Sequence, residues 1–284
     1  MEIYLADEHA YQLTPLISLE VARDRIDKKK MSLVAGTVGA LFSQPKPDEI
    51  KLVATENRLE PFWFISASTH TEYDRACAYV VPVTGPEVKG VTLFDQRLNA
   101  TVSAKGPPTL SLTGIEHCAH ELRSQQTFDA ITGAKADFMR FVKAERVEIA
   151  DLSGFAPEGV LVVPPQVRAT AVVRQVTAEV VQPVQNAHAI HSERVDLENI
   201  DLIFRPVYAL EYEWAAKNKR VVVEFDAVGG EMRGGGKRLA DQIRHILTRD
   251  VLFDVTADAI GMIVPGGNIA VKLVKAVVDR GKRQ

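Results

Sequence analysis

The chain has 284 residues, of which 46% are hydrophobic and 25% are charged, a composition typical of a soluble globular protein with one or two domains. The formal net charge of −3 argues against a general nucleic-acid binder, which needs clustered Lys and Arg to neutralise phosphates. The two cysteines, Cys77 and Cys118, can form one disulfide at most, which favours a reducing compartment.

The N-terminus and the apolar segments predict a cytoplasmic protein that does not span a membrane. Acidic residues stand where a secretory signal peptide would have basic ones, and no apolar signal core follows them. Segment 31–42 is apolar but too short to cross a bilayer, and segment 259–278 is interrupted by Pro-Gly-Gly and carries two lysines.

A helix-like segment followed by strands occurs twice along the chain. Pro206 follows Pro61 by 145 residues, and at this offset the apolar residues around the two prolines align. The helix-like segment 18–42 precedes the first copy, and segment 164–184 precedes the second. Because proline donates no backbone hydrogen bond, each of the two prolines is predicted to mark the point where strand pairing begins.

The second copy has the clearer periodicity. Val173, Val176, Val180 and Val184 are spaced by three and four residues, which predicts one buried helix stripe. From residue 207 to 214, aromatic and aliphatic residues alternate with others, which predicts a strand with one buried face and one mostly solvated face. The predicted strand 221–230 follows after a turn and completes a hairpin. Four carboxylates are predicted to lie on solvated faces of this hairpin: Glu211, Glu213, Glu224 and Asp226.

The first copy is interrupted by an insertion at about 84–114 that is rich in Gly, Pro and Thr. After it, "TFDAITG" at 127–133 is similar to "EFDAVGG" at 224–230. The predicted fold class is therefore α+β, with two related helix-plus-antiparallel-sheet units. The predicted domains are 1–150 for the first unit, 151–255 for the second unit and 256–284 for a helical C-terminal tail, with a Pro- and Gly-rich boundary near residue 150.

The strands that end in these glycine turns give the two units a resemblance to PepSY/cystatin-like modules, in which a helix packs across a curled sheet. Phe128, Asp129, Ala130, Thr132 and Gly133 match the "VDAxTG"-like turn that often ends a hairpin in that family. In the second unit Phe225, Asp226, Ala227 and Gly230 match it, and Gly229 replaces the threonine. The resemblance implies a module that binds or inhibits partners. It supplies no catalytic residues.

The segment "EHCAHE" holds residue types that ligate zinc. It contains His117, Cys118 and His120, and His188 and His191 could complete a tetrahedral site. On a helix His117 and His120 would lie close together, whereas on a strand they would face opposite sides. The alternative interpretation is a set of polar residues on a half-exposed element.

Two further segments are candidates for binding. The glycine-rich segment around Gly234, Gly235, Gly236 and Lys237 could present backbone N–H groups and a helix N-terminus to an anion, although it does not match a P-loop. The C-terminal segment is predicted to be an amphipathic helix with a basic end, suited to a partner or to an anionic membrane. Its candidate contact residues are Lys272, Lys275, Arg280, Lys282 and Arg283.

Three functions follow from these patterns. The first is a non-enzymatic binding or scaffold protein, with a protein partner or a second copy of the chain as its target and with the insertion and the C-terminal helix as contact elements. The second is a zinc-binding enzyme or sensor built around "EHCAHE". The third is a peripheral membrane protein that docks through residues 266–284.

Overall fold

A computed structural model describes residues 1–35, 46–102, 106–236, 248–255 and 272–275. Strands hold about half of the described residues, and helices hold a much smaller share. One mixed sheet contains ten strands, and a separate two-stranded sheet contains the other two described strands.

The elements are short at the ends of the chain and very long in its middle. The strands are β1 (Glu2–Leu5), β2 (Glu8–Leu13), β3 (Ile50–Pro82), β4 (Gly90–Leu93), β5 (Gln96–Asn99), β6 (Thr109–Asp129), β7 (Arg146–Glu148), β8 (Leu161–Val162), β9 (Ala189–Trp214), β10 (Lys219–Asp226), β11 (Met232–Gly236) and β12 (Lys272–Lys275). The helices are α1 (Leu19–Asp27), α2 (Met139–Val142), α3 (Ala169–Val180) and α4 (Arg249–Leu252), with short 3-10 turns at Pro47–Glu49 and Ala215–Lys217.

The two longest strands, β3 and β9, run antiparallel through the centre of the large sheet, from the pair Ile50–Trp214 to the pair Asp74–Ala189. The outer side of β9 pairs in turn with β10, β2 and β1. The outer side of β3 pairs with β6 and, for two residues, with β8. Every other described strand of the sheet is attached to this central pair, directly or through one neighbour.

Both prolines lie inside these central strands, at the point where the neighbouring strand changes. Strand β6 pairs with β3 from Phe62 onward, and β8 pairs with β3 only at Arg58 and Leu59, so Pro61 lies in the gap. Likewise Pro206 lies between the end of the β2 pairing and the start of the β10 pairing. A residue without a backbone N–H is tolerated there because no ladder hydrogen bond is lost. The prolines therefore mark a change of outer neighbour, but the prediction that strand pairing begins at them is wrong, because β3 and β9 pair with each other on both sides of each proline.

Helices α1 and α3 cover one face of the sheet, and each packs against strands of the other predicted unit. Helix α3 lies on β3 and β6, where the Trp63 indole N–H donates to the Val167 carbonyl at 2.9 Å. Helix α1 lies on β9 and β10, where the Tyr208 hydroxyl donates to the Ile17 carbonyl at 3.0 Å. The predicted valine stripe on α3 is confirmed for Val173, Val176 and Val180, which are buried, but not for Val184, because the helix ends at Val180.

The predicted α+β architecture of two helix-plus-sheet units is wrong. Strands β3 and β9, one from each predicted unit, form a single ladder, and strands predominate over helices. The periodicity of a segment predicts its own helix or strand, but pairing between distant segments decides which strands share a sheet. The predicted segments 1–150 and 151–255 share this sheet, and the boundary between them stays a prediction.

The predictions of an anion-binding glycine loop and of a helix at Lys272 and Lys275 are also wrong. Gly234, Gly235 and Gly236 are not in a loop before a helix: they belong to β11, which pairs antiparallel with β10. Lys272 and Lys275 are not in a helix either, because β12 pairs parallel with β1. The helical pattern of the C-terminal segment is overridden there by sheet pairing, which period alone does not predict for a short segment.

The predicted glycine turns after the FDA sequences are confirmed. Gly133 and Gly230 both have φ of +74°, a backbone conformation that a glycine adopts without cost. In each turn the aspartate side chain accepts backbone N–H groups two and three residues later: Asp129 from Ile131 and Thr132, and Asp226 from Val228 and Gly229.

Candidate interaction surface on an extended β-arm

Strands β3 and β6 continue beyond the sheet as a two-stranded ribbon. The last residue of β3 that pairs with β9 is Asp74, whereas the β3–β6 pairing continues to Pro82 and Thr109. The hairpin of β4 and β5 lies beyond this ribbon. We call residues 75–116 the arm. It contains the insertion predicted at about 84–114 and extends past both ends of that insertion toward the sheet.

The arm carries a large share of the exposed hydrophobic side chains of the described chain. Phe94, at its tip, is 98% exposed, and Val80 is 68% exposed. Apolar side chains on a ribbon of two strands have no second layer to cover them, so they stay in contact with water. The further exposed hydrophobic residues of the arm are Tyr79, Val81, Val102 and Ile115.

The tip is a two-residue turn held in an unusual conformation. Leu93 pairs with Gln96, and the two residues between them, Phe94 and Asp95, have φ of +50° and +61°. Positive φ at both central positions is the type I′ hairpin geometry, which normally selects Asn-Gly or Asp-Gly. A bulky aromatic residue with φ above zero is an outlier that costs conformational energy. The turn therefore presents a phenyl ring to solvent at a site where smaller residues fold more easily.

A histidine–carboxylate cluster lies at the base of the arm, where β9 ends. Asp74 accepts from two imidazoles: His117 Nδ1 lies 2.7 Å from its Oδ1, and His191 Nε2 lies 2.9 Å from its Oδ2. The backbone N–H of His188 also donates to the Asp74 carbonyl at 2.7 Å. The hydrogen bonds from His117 and His191 lower the pKa of the Asp74 carboxyl below its ordinary value. The cluster joins three strands, β3, β6 and β9, at the point where the arm leaves the sheet.

Four residues before Asp74 on β3, His70 lies between two carboxylates. Its Nδ1 is 3.0 Å from Glu121, and its Nε2 is 3.5 Å from Glu72. Hydrogen bonds to Glu121 and then to Glu72 raise the pKa of the His70 imidazole above 6.5. A surface depression of about 580 Å³ borders this pair and is lined by polar side chains that include Arg123, Arg194 and Glu198.

We expect the pKa of His70, measured by NMR titration of its ring protons, to fall toward 6.5 in Glu121→Gln. The neutral amide accepts a weaker hydrogen bond from the imidazolium than the carboxylate does. Because the folded-state pKa is raised, the stabilisation from this pair is present at low pH and is lost as pH rises through that pKa. Glu148→Gln, a change beside His9 instead, serves as the control and should leave the His70 titration unchanged. An unchanged His70 pKa in Glu121→Gln would contradict this assignment.

The structure separates the residues of the predicted zinc site. His117 pairs with Asp74 and His120 pairs with Thr71, so on the β6 strand their side chains point to opposite faces, as the strand alternative required. Cys118 shares the face of His120 and is a free thiol. Of the predicted ligands only His117 and His191 converge, and Asp74 lies between them.

Within the described residues, no group of three or more His, Cys, Asp and Glu side chains is placed to hold a metal ion. Zinc binding stays a prediction. The other predicted contact residues are only partly described: Lys237, Arg280, Lys282 and Arg283 lie outside the described residues, and docking through the C-terminal segment likewise stays a prediction.

A buried ion network lies on the same sheet face as the His–Asp cluster, in the part of the sheet where β3 pairs with β9. Arg205 bonds Glu60 at 2.6 Å and Asp226 at 2.7 Å. Arg58, which is 1% exposed, bonds Glu224 at 3.3 Å and Glu56 at 2.7 Å. Burial raises the pKa of the Glu60 carboxyl, and the Arg205 guanidinium partly offsets this rise.

The carboxylates that the sequence placed on a solvated hairpin face belong largely to this network. Glu211, Glu224 and Asp226 are buried, which corrects the prediction for them, whereas Glu213 is more exposed and pairs with Arg220. The alternation of residues along a strand predicts which side chains share a face. It does not predict that arginines from β3 and β9 lie on that face. A cavity of about 230 Å³ beside Arg140, Arg205 and Arg233 is lined by these ion pairs. Their mutual pairing suits a structural role.

Comparison with protein families, with characterised proteins and with solved structures finds no match for this chain. The resemblance to PepSY/cystatin-like modules stays a prediction. In the described part of the chain, no helix has both the length and the apolar character needed to cross a membrane.

Proposed function

We propose that this protein is a non-enzymatic binding or scaffold protein that holds a protein partner with the tip of its arm. The observation that carries the proposal is the placement of Phe94, almost fully exposed, in a positive-φ turn at the end of a ribbon that projects from a large sheet. Phe94 costs conformational energy in this turn, and its exposed ring does not add to the core. This supports a role for the ring in contact with a partner rather than in folding.

The chemistry of the arm favours a protein partner. Phe and Tyr are enriched in the buried centres of protein interfaces, and a few such residues supply most of the binding energy. Residues 75–116 contain four basic and three acidic side chains, Arg75, Lys89, Arg97 and Lys105 against Glu87, Asp95 and Glu116. This balance offers little charge for neutralising phosphates, so neither nucleic acid nor an anionic membrane is favoured there.

The rest of the fold suits a support for such a contact. The sheet is tied together by the buried ion pairs at its centre and by three apolar clusters. The His–Asp cluster joins the arm base to β9, so the direction of the arm is set by side-chain contacts on a third strand. A rigid support lowers the entropy cost of presenting the tip to a partner.

The test is site-specific photo-crosslinking in the cells that make the protein. A photoreactive phenylalanine analogue at position 94 should give a discrete crosslinked species that the same analogue at Val147 does not. Val147 is also exposed, but it lies on β7, away from the arm. The partner is then identified and purified, and its affinity is measured against wild type and Phe94→Ser.

Loss of a central aromatic anchor is expected to weaken binding by at least about tenfold, in line with interface alanine scans. Equal crosslinking at positions 94 and 147, or an affinity that Phe94→Ser leaves unchanged, would overturn the assignment of the tip as the binding element.

A further inference from the structure

Strand β6 has a long outer edge with which no described strand pairs. It pairs with β3 along its inner side, and at its ends the outer side is closed by Thr101, which bonds Thr109, and by Ala136, which donates to the Thr127 carbonyl. Between these points, from Leu110 to Gln126, no described strand pairs with the outer side. An open edge of this length presents a row of unused backbone donors and acceptors.

The pairing pattern shows which residues supply those groups. Successive residues of a strand direct their N–H and C=O groups to alternate sides, and the β3–β6 ladder has no register shift. Thr109 and Thr127 both bond outward, so the odd-numbered residues from Ser111 to Gln125 direct their backbone groups to the open edge. The even-numbered residues, including Cys118, bond inward to β3.

The charged side chains that would normally protect such an edge are occupied within the chain. Glu116 bonds Arg75 at 2.6 Å and accepts from the Tyr79 hydroxyl at 2.6 Å. Glu121 bonds His70 at 3.0 Å, and Arg123 bonds Glu198 at 2.6 Å. Charges held by neighbouring strands do less to repel an incoming strand than free charges do.

We propose that β6 pairs with β6 of a second copy of this chain, antiparallel and about a twofold axis at Cys118. In an antiparallel pair about a twofold axis perpendicular to the sheet, the numbers of any two paired residues add up to the same value. That value must be even, because paired residues have their side chains on the same face of the sheet. The open edge runs from Leu110 to Gln126 and its midpoint is Cys118, so this register is the one that uses all the outward backbone groups of both copies.

The side chains agree with this register. Glu116 lies opposite His120 of the second copy, Ile115 lies opposite Glu121, and Thr113 lies opposite Arg123. None of these pairs brings like charges together, and the Glu–His pair is attractive when the imidazole is protonated.

The same register supports the arm. Residues 110–116 of each arm, beside which β3 is the only described strand, lie along residues 120–126 of the second copy, where the sheet continues from β6 through β3 and β9 to β1. A ribbon of two strands is marginal in water, and added strands stabilise it. The tip hairpin of β4 and β5 lies beyond the paired segment and stays free, so dimerisation does not depend on the proposed function of Phe94.

The test uses the purified full chain and two independent measurements. Light scattering after gel filtration should give the mass of a dimer. In Ala119→Pro the dimer dissociation constant should rise at least tenfold, because proline removes an outward N–H and leaves the bonds to β3 intact. Ala119→Ser is the control and should remain a dimer. A monomeric wild type, or a dimer that Ala119→Pro leaves equally tight, would overturn the proposal.

The second measurement is made on folded protein and does not rely on the proline variant. At the axis, the two Cys118 residues would form a pair without mutual backbone hydrogen bonds, with Cα atoms about 4.5 Å apart, within the range that a disulfide spans. Mild oxidation with diamide should therefore crosslink wild type and Cys77→Ser into dimers, and should fail to crosslink Cys118→Ser. Crosslinking that requires Cys77 instead would contradict the register.

Discussion

Arg205→Ala is expected to lower the free energy of unfolding by about 3–5 kcal/mol, since it removes the nearest counter-charge of two largely buried carboxylates. The Arg205 side chain on β9 is 10% exposed and bonds Glu60 on β3 and Asp226 on β10. Urea unfolding followed by circular dichroism measures the change. The position is sensitive because all three groups are removed from water and each depends on the others for compensation.

A matched control is Arg220→Ala. Arg220 also bonds a carboxylate, Glu213, but it is 60% exposed, and exposed pairs contribute about 0–1 kcal/mol. The loss in Arg205→Ala should also grow as pH rises through the raised pKa of Glu60, because the charged carboxylate is the form that burial disfavours. Equal losses for the two arginine variants would show that the central pairs contribute no more than surface pairs.

Trp63→Ala is expected to destabilise the protein by about 3–5 kcal/mol, as large-to-small changes at buried aromatic residues do. The indole is fully buried between the sheet and α3, packs edge-on against Phe253 with ring centroids 5.2 Å apart, and donates to the Val167 carbonyl. Its removal leaves a cavity and an acceptor without its indole donor. The measurement is the midpoint and slope of urea unfolding.

Phe94→Ala provides the comparison for this aromatic truncation. Its ring is exposed at the arm tip, so the expected change in the free energy of unfolding is within about 0.5 kcal/mol. This result would also show that variants of the tip are folded and can be used in binding experiments. A loss for Phe94→Ala as large as that for Trp63→Ala would mean that the ring is covered in solution.

The candidate surface could be predicted only in part. The Gly-, Pro- and Thr-rich composition predicts the insertion as a contact element, but it does not single out Phe94. The only local indication of this residue's role is that "LFDQ" has an aromatic residue where a tight turn would favour glycine. The histidines are residue types that ligate zinc, but the group that joins His117 and His191 is the Asp74 carboxylate, which is far from both in sequence. A strand pairing supplies that contact, and no spacing rule predicts it.

Local features were determined by the sequence itself. The valine stripe of α3, the β9–β10 hairpin and the Asp-Ala-glycine turns follow from side-chain period and backbone constraint within a few residues. Which strands share a sheet was decided only in the tertiary structure. Three features depend on contacts between distant segments: the pairing of β3 with β9, the packing of α1 and α3 each on strands of the other predicted unit, and the burial of Glu211, Glu224 and Asp226. The period of a segment predicts which of its residues share a face. The segments that pack beside it decide whether that face contacts water, charged side chains or another strand.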